Sequence, residues 1–151
     1  MKCLILYASI HHGNTKKLID GLKNEYDVDL IDAIKDTRSI DFSHYDTIGF
    51  ASGVYNGSIS PILLKFVKTN ATTLNKKKIF AIITSGTNSY RYRRKTKRFF
   101  NENGVQLYAI YQCLGYDTYG LWAKIGGIAK GHPNRNDIDK LLIFVKENDL
   151  F

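Results

Sequence analysis

Strand-like and helix-like segments take turns along this chain, and that alternation restricts its folding more than any other feature. Apolar runs rich in β-branched and aromatic residues occupy 2–8 (KCLILYA), 28–32 (VDLID), 46–51 (DTIGFA), 78–84 (KIFAIIT) and 105–111 (VQLYAIY), which is the pattern of strands. Between and after them apolar side chains recur at helical spacing: Leu18, Ile19 and Leu22; Ile62, Leu63, Phe66 and Val67; Phe99 and Phe100; Ile138, Leu141, Leu142 and Val145. Strands that are apolar almost throughout, joined by amphipathic helices, build a parallel sheet buried on both faces, because right-handed crossovers place helices on either side. The expected fold is therefore α/β, a three-layer sandwich around a five-stranded parallel sheet. The segment 33–45 is too short and polar for a long helix and leaves room for a turn or two.

With 151 residues and 44% hydrophobic content, the chain matches one domain spanning 1–151 with a single sizeable core. It has no repeat and no low-complexity linker, and Pro61 and Pro133 are its only prolines. The first apolar run, Cys3 to Ala8, is too short for a signal segment or a membrane span, so a cytoplasmic location is expected. Cys3 and Cys113 are the only cysteines and read as two reduced thiols rather than a disulfide framework. No CxxC, HExxH or clustered Cys/His spacing occurs, so no metal site is expected.

The formal charge is +8, and residues 91–98, RYRRKTKR, carry six of the cations. Subtracting those six from +8 leaves +2, so the imbalance is one local patch. Such a patch attracts acidic proteins or polyanions through a field that salt weakens. Its plain reading is the solvated face of a helix whose Phe99 and Phe100 turn to the core. No nucleic-acid motif accompanies it, so a nucleic-acid partner is not expected.

In open parallel sheets ligands bind beyond the carboxyl ends of the strands, where the strand order reverses. That directs attention to the segments after the first, third and fourth runs. The first reads Ser9-Ile10-His11-His12-Gly13-Asn14-Thr15. Ser9, Asn14 and Thr15 are residue types whose side-chain oxygens take up orphan helix amides, and Gly13 permits close approach or positive φ. A helix opening with exposed donors is an anion site, most naturally for a terminal phosphate; the same residue types also serve as plain caps. No lysine or arginine lies inside the loop; Lys16 and Lys17 follow it, and His11 and His12 add charge when protonated.

Ser9-x-x-x-Gly13-Asn14-Thr15 after a first strand resembles the phosphate loop of the flavodoxins. The likeness continues in order along the chain: Ala51-Ser52-Gly53-Val54-Tyr55-Asn56-Gly57 is similar to that family's second flavin loop, and Thr84-Ser85-Gly86-Thr87-Asn88 to its third. The late stretches 113–120 (CLGYDTYG) and 125–133 (IGGIAKGHP) resemble a subgroup of short flavodoxin-like proteins. The resemblance implies strand order 2-1-3-4-5 with FMN at the switch point. It also implies an electron carrier working between redox partner proteins. Tyr55 is then placed to stack on the isoalloxazine; its plain reading is a surface tyrosine in a turn. The Asn56-Gly57 pair is a strong turn signal, since both residues tolerate positive φ, and in the family the peptide at this place turns over on reduction to meet flavin N5. Backbone amides of 84–88 would meet the pyrimidine edge, and Gly115 and Tyr116 the flavin edge. The segment 114–133 is long and glycine-rich, the kind of loop that is usually functional. Its Tyr116, Tyr119 and Trp122 are placed to wall the flavin rim, to dock a partner, or simply to pack on the last helix.

Two departures from the family stand out. Typical flavodoxins are strongly acidic, whereas residues 47–101 here contain no Asp or Glu, which implies a hydroquinone couple less negative than theirs. An acidic partner is accordingly expected to dock near Arg91, Arg93, Arg94, Lys95, Lys97 and Arg98. The only Trp is Trp122, in the late loop. The alternative is an FMN-dependent oxidoreductase on the same scaffold, a quinone reductase or a protoporphyrinogen-oxidase-like enzyme, but no acid/base pair is legible among His11, His12, His44 and His132. A phospho-receiver needs carboxylates where this chain has Ala8-Ser9 and Ala51-Ser52, and is rejected. A flavin-free scaffold binding acidic partners is the third reading.

Overall fold

The apolar runs pair side by side in the computed structural model, which describes residues 1–36 and 39–151. The parallel strands are β1 (Cys3–Ala8), β2 (Val28–Asp32), β3 (Thr47–Tyr55), β5 (Lys78–Ser85) and β6 (Leu107–Leu114), ordered β2-β1-β3-β5-β6. This is the expected order 2-1-3-4-5, with one addition that sequence periodicity did not reveal: the two-residue β4 (Ser58–Ile59) pairs antiparallel with the end of β3. The helices are α1 (Asn14–Lys23), α2 (Pro61–Leu74), α3 (Tyr90–Glu102) and α4 (Arg135–Glu147), with a 3-10 helix at Gly120–Ile125. Within 33–45 the described residues form turns and no helix, and residues 37 and 38 lie outside the described residues.

Every residue of β1 is buried, because its two faces feed two cores. Cys3, Ile5 and Tyr7 pack with Leu18, Ile19, Leu22, Leu141 and Val145 of α1 and α4, while Leu4 and Leu6 pack with Leu63, Val67 and Phe100 of α2 and α3. That two-sided burial is why β1 reads as a continuous apolar run rather than an alternating one. Phe100 fixes α3 against the sheet, with its ring edge-on to Phe50 at 5.5 Å. Thr96 and Phe100 form the buried stripe of α3, and its six cations are all exposed. Among the described residues, no helix is long and apolar enough to cross a membrane.

The third strand runs four residues past its expected end, and the reason is local. Val54 pairs with Ile59 and Tyr55 with Ser58 across a two-residue turn, in which Asn56 has φ 51° and Gly57 φ 77°. Two successive positive φ values define the turn whose twist matches a hairpin, and Asn-Gly is its preferred sequence. The turn was legible; the strand it closes was not.

Candidate functional site

The carboxyl ends of β1, β3, β5 and β6 open into a cavity of about 310 Å³, within the range of small-molecule and cofactor sites. Its wall brings together Ser9, His11, Asn14 and Thr15 from the first loop, Gly53, Val54, Tyr55, Asn56 and Gly57 from the second, Thr84, Ser85 and Gly86 from the third, and Gly115 and Tyr116 from the last. Four segments far apart in sequence thus converge on one space. Ile10, His12, Gly13, Ser52, Thr87 and Asn88 do not line it.

The first loop departs from the capping expected of it. Gly13, with φ 63°, is the N-cap of α1 and supplies no side chain. Ser9 reaches over instead, its Oγ accepting the Lys16 amide at 3.3 Å. Asn14 donates from Nδ2 to the Tyr116 carbonyl at 2.8 Å, and Thr15 turns inward to share a 2.9 Å hydroxyl pair with Thr84. Ser9 thus takes up a helix amide as expected, whereas Asn14 and Thr15 are struts, one to the late segment and one to the sheet. The amides opening α1 have no intrahelical carbonyl to bond, and they carry the positive end of the helix dipole.

The two histidines divide. His11 borders the cavity, its ring 5.9 Å from that of Tyr55. His12 turns away, lying 4.4 Å from the Tyr116 ring with Nε2 2.9 Å from Thr118 Oγ1. It clasps the late segment to the first loop.

Tyr55 lies across the second loop, its hydroxyl accepting the Ile10 amide at 3.3 Å. Burial pushes its phenol above the ordinary value, against a smaller opposite effect of the Ile10 amide. Ser52 is fully buried; its hydroxyl donates to the Gly53 carbonyl at 2.6 Å and accepts the Ser60 amide at 2.9 Å. It holds the hairpin to α2.

Four lining residues fall outside the candidate set: Tyr92, Asp117, Tyr119 and Trp122. Tyr92 is hidden in the basic run, but its spacing from Thr96 and Phe100 places it on the inward stripe. Tyr119 and Trp122 were read as possible wall residues, and the structure puts both there, with the Tyr119 hydroxyl 3.4 Å from Asn56 Oδ1. Asp117 carries the one carboxylate of the lining. The late segment is closed on itself by a bridge in which Asp117 and Ile128 exchange amide-to-carbonyl bonds of 3.0 and 2.8 Å. It is tied to α4 where the Tyr116 amide donates to the His132 carbonyl at 2.9 Å, and where His132 Nδ1 meets Asp137 Oδ2 at 2.7 Å. His132 is thus structural, since Asp137 also closes the capping box with Asn134.

Tyr119, Leu121 and Ile125 are 69%, 74% and 69% exposed, so the 3-10 helix presents an uncovered apolar surface at the cavity mouth. α3 begins at this end, with Tyr92 in the cavity wall; its six cations are exposed, and none pairs with a described carboxylate. Burial, then the Asp137 charge, push the thiol of Cys113 up to about 12.

Comparison with known proteins gives a consistent picture. A flavodoxin domain model matches residues 4–126. An uncharacterised protein of Methanocaldococcus jannaschii is 35% identical over 148 residues, covering 97% of each chain. The crystal structure of oxidised flavodoxin 1 from Bacillus cereus is similar with a TM-score of 0.69 at 17% identity, over 99% of this chain and 97% of that one. A flavoprotein in complex with FMN from Lactobacillus acidophilus is similar with a TM-score of 0.57 at 24% identity, over 74% of this chain and 92% of that one. Both structural likenesses speak to the fold.

Proposed function

The chain belongs to the flavodoxin family, and from that premise we propose that it binds FMN in the cavity and carries electrons between redox proteins. The observation that carries this reading is the convergence of the loops after β1, β3 and β5, with the late segment after β6, on one aromatic-walled space. FMN, when bound, supplies the electron-accepting ring.

The rest falls to the chain's own residues. Amides opening α1 suit a phosphate without a lysine or arginine in the loop, as neutral donors at a helix N-terminus do. Thr84, Ser85 and the backbone at Gly53 and Gly86 offer small polar surface for the sugar chain and the ring's polar edge. Tyr55, Tyr92, Tyr116 and Trp122 offer flat apolar faces for the ring, and the Asn56-Gly57 turn stands beside them. The exposed apolar 3-10 helix and the cations Arg91, Arg93, Arg94, Lys95, Lys97 and Arg98 form the docking surface, and its charge selects an acidic partner.

An absorption spectrum of the purified protein tests the reading. Flavin bands near stoichiometric with protein, or their appearance on adding FMN, are expected; a colourless protein that takes up none overturns it. With FMN bound, NAD(P)H and quinones or dyes are then added. A carrier reduces them only when a reductase is supplied, and turnover without one identifies the oxidoreductase alternative instead.

A further inference from the structure

Asp117 is an anomaly in the cavity. Residues 47–101, which contribute two of its walls, contain no acid, yet this carboxylate from the late segment reaches in beside the third loop. A Cβ at Gly86 would stand 2.5 Å from Asp117 Oδ2 and 2.6 Å from its Cβ, so Gly86 is the residue that lets the carboxylate approach. Asp117 Oδ1 is taken, accepting the Tyr119 amide at 2.8 Å. Oδ2 has no protein partner among the described residues, and the backbone is pinned on both sides by the bridge to Ile128. The result is one rigidly placed anionic acceptor, half spent, facing a neutral polar wall.

Resting on the FMN reading, we infer that Asp117 is a cofactor-binding residue that takes a hydrogen-bond donor of FMN at Oδ2 and sets which oxidation state is bound more tightly. An ionised carboxylate only accepts. Oxidised FMN has few donors, the imide N–H of the ring and the hydroxyls of the sugar chain; its phosphate and ring carbonyls only accept. Asp117 therefore favours one of these donors at its own position over the phosphate or a ring carbonyl. Because the reduced ring carries additional negative charge, the same carboxylate weakens binding of the reduced form relative to the oxidised one.

The test is FMN titration and potentiometry of the full chain. Asp117→Asn keeps an oxygen for the Tyr119 amide, and circular dichroism checks that it folds. Oxidised FMN is expected to bind it about tenfold more weakly, the difference between a charge-assisted and a neutral bond. The reduced form is expected to gain about tenfold relative to the oxidised one, which raises the two-electron potential by about 30 mV. Asp117→Glu keeps the charge and is expected to hold the wild-type potential whatever its affinity, so that the potential follows the charge across the two variants, whereas a merely structural role moves it in neither. Asp139→Asn on α4, away from the cavity, is expected to change neither. A folded Asp117→Asn with wild-type affinity and potential overturns this inference alone; wild-type protein that takes up no FMN overturns the reading beneath it as well.

Discussion

The paired hydroxyls of Thr15 and Thr84 join the first loop to the sheet at the floor of the cavity, and their contribution to stability follows from burial. They are 2.9 Å apart on residues only 1% and 2% exposed. Thr15→Val preserves the side chain's shape but leaves the Thr84 hydroxyl buried without its partner, a loss of about 1–3 kcal/mol. Thr84→Val strands the Thr15 hydroxyl at a similar cost. The double variant removes both groups, and replacing both partners by apolar groups of the same shape is nearly neutral. A double-mutant cycle in urea should therefore give a coupling close to the sum of the two single losses, about 4 kcal/mol, each single variant melting about 4–8 °C below the wild type and the double variant recovering most of that. If the double variant lies at the sum of the singles, the hydroxyls act independently and the tie is not real. FMN affinity gives a second reading: a double variant that still binds FMN makes Thr15 a strut whose backbone faces the ligand, whereas loss of binding makes its hydroxyl a direct contact.

Other expectations follow from burial and charge. Phe100→Ala empties a fully buried site against Phe50 and should cost about 3–5 kcal/mol by denaturant titration, detaching α3 before the rest. Burial, and then its hydrogen bond to Asp29, push the Tyr45 phenol up from 10.0 to about 12. Its share of stability is thus complete below pH 10.0 and is lost as pH climbs to about 12. Tyr45→Phe should remove part of that alkaline slope in urea midpoints measured across the same range, leaving the part due to Tyr111, which burial also raises. The unpaired cations of α3 should make association with an acidic redox partner fall steeply as salt is raised. Reversing Arg91 and Arg94 to Glu should flatten that dependence in stopped-flow rates.

β1, β3 and β5 were legible because each is buried on two faces and so is written as an almost unbroken apolar run, while the edge strands β2 and β6, less fully buried, were marked by β-branched and aromatic content. β4 was not, because two residues carry no periodicity and its pairing exists only once Asn56-Gly57 has turned the chain back. The first loop shows the same divide. Its composition marked a helix opening, and the helix does open there; which side chains cap it depended on Tyr116 and Thr84, 102 and 69 residues away respectively. Asp117 and Tyr92 escaped for a related reason. Each sits within a segment whose dominant signal is something else, glycine in one case and positive charge in the other. Only the sheet register and the α3 stripe carry them to the cavity. A lone acid inside a glycine-rich stretch after the last strand was the available clue.

The 3-10 helix over the mouth holds the chain's one tryptophan, Trp122, which borders the cavity and is 41% exposed. The protein thereby contains a single indole at the one place where occupancy changes, with no second emitter of its kind to dilute it. Its emission is a built-in optical gauge: a chromophore entering the cavity quenches it by energy transfer, and a partner settling on the rim shifts its colour. Filling and docking can be timed separately on the unlabelled chain.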